Sequence, residues 1–147
     1  VGGFTFLEAL IVFAFVGLML LIAYPMMGRS LTSANVRNAR TLSIGLYARA
    51  RASALETGRV TTLDYIGNLA LITATPRLVP LAGSTLDTLG QPQDLNLLYG
   101  VTVTGNPSTT LTIDPRGLAS SNETTIYFTR DGKTDSMNVS GFGRVVK

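Results

Sequence analysis

The chain has 147 residues, no cysteine, no histidine and a formal net charge of +3, a length that suits one compact domain or one domain plus a membrane segment. The missing cysteine and histidine exclude thiol chemistry, disulfide frameworks and imidazole general bases. The basic balance is too weak and too dispersed to argue for specific nucleic-acid binding.

The first element is a helix. Of the 25 residues at 4–28, 20 are apolar, and about 20 suffice to span a bilayer. The run exceeds a signal-peptide core, and no small-residue cleavage site follows it. Glu8 is the only charge among residues 1–28. A carboxylate in such a segment costs about 3 kcal/mol on insertion scales, so a chain that keeps it is expected to find it a partner charge. That expectation points to assembly rather than catalysis. The competing reading makes Glu8 a helix N-terminal acid that satisfies the dipole and the free amides. Gly17 and Pro25 interrupt the run. Pro25 removes a donor and clashes with the preceding turn, which predicts a kink or a locally unwound stretch between the two. Such a softened segment would let helices bend while packing side by side; the alternative is a kink with no mechanical role. Tyr24 and Arg29 stand at one end, as interfacial anchors do. Phe4, Phe6, Phe13, Phe15 and Tyr24 are read as packing between copies.

From Arg29 the pattern becomes amphipathic. Leu31, Ala39, Leu42, Leu46, Ala50 and Ala54 recur at spacings of three, four or eight, with Arg29, Arg37, Arg40, Arg49 and Arg51 on the polar side. Gly58 is the expected C-terminal stop. One helix over about residues 5–57 would be roughly 80 Å long, so part of it needs support from outside the chain.

Beyond Gly58 the period switches to two. Residues 59–63, 69–72, 97–103, 109–113, 124–129, 136–139 and 144–146 are predicted as strands. Residues 76–92, with Pro76, Pro80 and Pro92, form the expected loop, and Asp131-Gly132 signals a hairpin. The fold class is α+β: a long N-terminal helix packed on a C-terminal antiparallel sheet. The organisation is a hydrophobic helix at 1–28, an amphipathic helix at 29–58 and a β domain at 59–147.

Asn122-Glu123-Thr124 and Asn138-Val139-Ser140 match the glycosylation triplet at Asn122 and Asn138, a pattern frequent by chance in a chain rich in Asn and Thr. Asp131 and Asp135 flank Lys133 and lack the ligand density of a calcium loop. No nucleophile–base pair, phosphate loop or metal cluster emerges, so no catalytic residue, cofactor or metal is assigned.

Gly3-Phe4-Thr5-Phe6-Leu7-Glu8 resembles the prepilin processing motif of bacterial type IV pilins and type II secretion pseudopilins. The resemblance implies cleavage between Gly3 and Phe4 by a prepilin peptidase and methylation of the new N-terminus. Glu8 then stands four residues after that terminus, where the family's assembly glutamate belongs. Gly17 and Pro25 fall at offsets where pilins carry helix-breaking residues. Residues 125–132, Gly143-Arg144-Val145 and residues 48–52 are similar to pseudopilins of the GspH and FimT type. The implied protein is a structural filament subunit without enzymatic activity. It waits in the inner membrane and then joins an extracellular homopolymer through its helix, with Glu8 neutralising a neighbour's N-terminal amine. Its partners would be further copies of itself, the peptidase and the inner-membrane assembly machinery. Two mature ends are open, Val1 and Phe4; with Val1, Glu8 lies seven residues from the amine, about two helical turns. A minor pseudopilin, a membrane-anchored extracytoplasmic binding module and a tethered exported enzyme are the competing readings.

Overall fold

The computed structural model describes residues 5–76, 86–119 and 123–146, with the side chains of residues 22–27 outside that set. The chain forms two compact units, Val1–Ala34 and Asn35–Lys147. The sequence suggests a boundary after Gly28; the compact units divide later, inside the helix. The reason is where core contact begins. Leu31 is 62% exposed, whereas Val36 is buried.

Helix α1 runs Phe6–Thr57. Thr5 starts it: the Glu8 N–H donates to the Thr5 carbonyl (3.1 Å) and to the Thr5 hydroxyl (3.3 Å), and the Ala9 N–H to the same carbonyl (3.2 Å). The hydroxyl thereby takes up one of the first-turn donors that lack an intrahelical partner. Gly58 ends it at a φ of +64°, its N–H donating to the Ala54 carbonyl at 2.9 Å. Between these ends α1 continues as helix across Gly17 and Pro25, where the sequence allows a kink or an unwound stretch. Among the described residues no helix is long and apolar enough to cross a membrane.

In the second unit α1 buries one stripe. Val36, Ala39, Ser43, Leu46, Tyr47, Ala50 and Ala54 are buried, at the three-and-four spacing of a helix with a single apolar face. Leu42, expected on this face, is half-buried at its margin.

Nine strands follow among the described residues: β1 (Thr61–Ile66), β2 (Leu69–Ala74), β3 (Asp87–Thr88), β4 (Gln93–Asp94), then β5 (Thr102–Asn106), β6 (Thr110–Ile113), β7 (Thr124–Arg130), β8 (Lys133–Val139) and β9 (Val145–Val146). They form two antiparallel sheets where a single sheet is expected. One has the order β3-β2-β1-β6 with β4 also on β2; the other has the order β5-β7-β8-β9. Two-residue turns set the registers. Ile66 faces Leu69 across Gly67-Asn68. Arg130 faces Lys133 across Asp131-Gly132, whose φ values are 47° and 74°. Positive φ at both central positions matches the twist of paired strands. Period-two alternation then turns Leu63 and Tyr65 of β1, Leu111 and Ile113 of β6, Ile126 and Phe128 of β7, and Met137 and Val139 of β8 into one core with α1.

Residues 97–103 are not one strand. Residues Leu95–Tyr99 form helix α2, and β5 begins only at Thr102. The Asp94 carboxylate accepts from the Asn96 N–H (2.9 Å) and the Leu97 N–H (3.0 Å), and Gly100, at a φ of +66°, closes the far end. These caps outweigh the strand-like look of Leu97-Leu98.

Candidate functional site

The first unit presents an unusual surface. Phe6, Leu7, Leu10, Ile11, Val12, Phe13, Phe15, Val16, Leu18, Met19, Leu20 and Leu21 are each between 48% and 84% exposed. Together they leave on the order of 1,000 Å² of contiguous apolar area uncovered, above the few hundred Å² that monomeric soluble proteins usually tolerate. Side chains all round this stretch of helix are exposed, so it lacks the one-sided pattern of a helix made for its own core.

Glu8 stands in its first turn, exposed. Its backbone N–H is taken up by Thr5, a pairing legible in the Thr-x-x-Glu spacing. Among the described residues the Glu8 carboxylate has no ion-pair partner. The acid therefore favours the positive end of the helix dipole and still has a free anionic group among uncovered apolar side chains. Gly17 is exposed, and a Cβ placed on it would meet nothing within 4 Å. Gly3, Phe4 and Asn122 lie outside the described residues, as does the Pro25 side chain.

Asn138 sits inside β8, paired to Thr125 on one side and Val146 on the other. Its amide donates to the Glu123 carboxylate at 2.7 Å, so a glycan there would have to displace an existing contact. Asp131 belongs to the hairpin turn, and Asp135 pairs with Arg40 of α1 at 2.9 Å. Arg59 likewise binds the Thr75 carbonyl and Asp87, and Arg130 reaches the Tyr99 carbonyl. These arginines tie elements of the second unit together rather than facing a ligand.

Among the described residues three hydroxyls are buried without a hydrogen bond, Ser43 on α1 and Thr61 and Tyr65 on β1. Burial pushes the Tyr65 phenol well above its ordinary value, while the Ser43 hydroxyl beside it works weakly in the opposite direction. Tyr47 donates to the Gly143 carbonyl at 3.3 Å. Burial raises its phenol too, against the pull of Arg51. Both tyrosines act as packing groups with polar tips.

Neither a protein-family model nor a curated protein sequence matches the chain. Two solved structures of the type IV minor pilin FimU from Pseudomonas aeruginosa strain PAO1 do align with it, each at a TM-score of 0.56. The first is 19% identical and covers 75% of this chain and 90% of its own. The second is 18% identical and covers 83% and 91%. At that identity the likeness is one of architecture: a long N-terminal helix followed by antiparallel strands. The chain has a type IV pilin-like fold.

Proposed function

We propose that this chain is a structural subunit of an extracellular helical filament of the type IV pilus class, and not an enzyme. The observation that carries the reading is the uncovered apolar helix of residues 6–21, with a carboxylate in its first turn that has no ion-pair partner among the described residues. Other copies of the same helix would cover that surface, and burying apolar area at about 25 cal/mol per Å² would drive the association. Before assembly the same helix holds the subunit in the inner membrane. Cleavage between Gly3 and Phe4, followed by methylation of Phe4, would prepare the N-terminus, with a prepilin peptidase and the inner-membrane assembly machinery as partners. In the polymer Glu8 neutralises the N-terminal amine of a neighbour. Each charge alone is costly in an apolar medium, and together they cancel and fix the axial register. Gly17 and Pro25 give the helix its capacity to bend under packing.

The repeating subunit is the reading retained, because Glu8 is present. A minor subunit is the second reading, because the two aligned structures are of a minor pilin. The experiment is Glu8→Ala in cells that build the filament. The variant is expected to accumulate in the membrane and to yield no filaments by electron microscopy. Normal filaments from Glu8→Ala would refute the charge-pairing account.

A further inference from the structure

Beside α1 the second unit carries a groove of about 460 Å³, a size usual for small-molecule sites. Leu42, Gly45 and Leu46 line it along the helix, with Asn38 and Arg49 toward its ends and Tyr99 contributed by α2. A Cβ on Gly45 would meet nothing within 4 Å, so the space beside this turn of helix is open.

Arg49 is held at this groove without a counter-charge. Gly90, at a φ of +87°, has no side chain, and a Cβ there would lie 3.0 Å from Nη2 and 3.3 Å from Cζ of Arg49. The guanidinium thus rests against the Gly90 backbone. Arg40, Arg59 and Arg130 each bind a carboxylate. Arg49 binds none among the described residues, and no lining residue of the groove is acidic. The side chains of Asn38 and Tyr99 likewise make no hydrogen bond among the described residues. A planar guanidinium held in one place suits a carboxylate, which it binds through two parallel N–H donors.

We propose that this groove binds a sugar ring that carries a carboxylate, a unit of the uronate type, with the carboxylate on Arg49. The inference goes beyond the filament reading and does not rest on it. Two features select this chemistry. The first is charge: one positioned cation with no acid beside it calls for a ligand with a single negative charge. The second is the mixture of surfaces. Leu42, Leu46 and the Tyr99 ring present carbon, while Asn38, Thr41 and the Tyr99 hydroxyl offer donors and acceptors at the same opening. A pyranose has the matching double character, with C–H groups on its faces and hydroxyls round its edge. A fatty carboxylate would cover those polar groups without pairing them and would find only two leucines for its chain. An inorganic anion would leave both leucines uncovered.

The test titrates the full chain, purified in detergent, with D-glucuronate at neutral pH, followed by saturation-transfer NMR and calorimetry. Saturable binding is expected. Glucose, the same ring without the carboxylate, should bind at least about tenfold more weakly, the usual effect of losing a charge-assisted hydrogen bond. Arg49→Gln changes an exposed position, so circular dichroism should be unaltered, and the preference for glucuronate over glucose should disappear. Gly45→Leu puts a better helix former into the open space. It should keep the helical signal and lose binding of both sugars. Oligogalacturonate distinguishes the source of the sugar: a unit of a chain binds at least as tightly as the monosaccharide, whereas weaker binding of the oligomer assigns the site to the free sugar. Absence of saturable binding, equal affinity for glucose, or full affinity for glucuronate in Arg49→Gln overturns the proposal. Octanoate binding as tightly as glucuronate also overturns it and makes the groove a site for amphiphiles.

Discussion

Tyr65 shows what a single buried polar atom does to this protein. Its hydroxyl is enclosed beside Ser43 without a hydrogen bond, so it contributes little to stability at neutral pH. Tyr65→Phe is expected to lie within about 1 kcal/mol of wild type at pH 7, since it removes a polar group that has no partner to lose. The pH dependence runs in one direction. Burial raises both Tyr65 and Tyr47 above the ordinary 10.0. Their contribution is complete below pH 10, where both states are protonated. Above it the unfolded phenols release protons that the folded ones keep, so stability falls as pH rises. Each phenol adds a slope of about 1.4 kcal/mol per pH unit until its folded value is reached. Urea unfolding between pH 7 and 11 should show the decline, and Tyr65→Phe should make it shallower. Little of this was legible beforehand. Ser43 and Tyr65 stand 22 positions apart in the sequence, and only the packing of α1 on β1 brings their hydroxyls together. Glu8, by contrast, stands out in one line of sequence, because a lone charge in an apolar run needs no tertiary information to be noticed.

Among the elements, helix α2 is the instructive case. Leu97-Leu98 suggests a strand, yet Asp94 and Gly100 bracket a short helix between β4 and β5. Both caps were present in the sequence, but a five-residue helix has too few positions for a period of 3.6 to stand out from a period of two. Asp94→Ala leaves the Asn96 and Leu97 N–H groups without their acceptor and should lower stability by about 1 kcal/mol, measured by urea unfolding at neutral pH; no change would mean that water replaces the cap. The turns were easier. Asp131-Gly132 tolerates positive φ, and the seven paired positions of β7 and β8 follow from it. Most strands were therefore visible as alternation, whereas their division into two sheets was not. That division depends on long-range pairings such as β1 with β6 and β5 with β7, which no local pattern encodes.

The whole molecule combines a surface that needs company with a unit that has its own core. Every member of the core cluster lies at Val36 or beyond. A chain beginning at Asn35 should therefore be soluble, folded and monomeric, as judged by circular dichroism and sedimentation. An insoluble or unfolded product would show that residues before Asn35 support the core. The order of a long helix followed by antiparallel strands was legible in the switch from uniform hydrophobicity to amphipathic and then alternating patterns.

Arg59 has a consequence for the path of the chain. One guanidinium at the start of the sheet holds the Thr75 carbonyl and Asp87 together, and β3 pairs with β2 at the same place. The intervening segment thus begins and ends on a fixed clasp. One side chain thereby sets the place where the chain leaves β2 and rejoins it through β3.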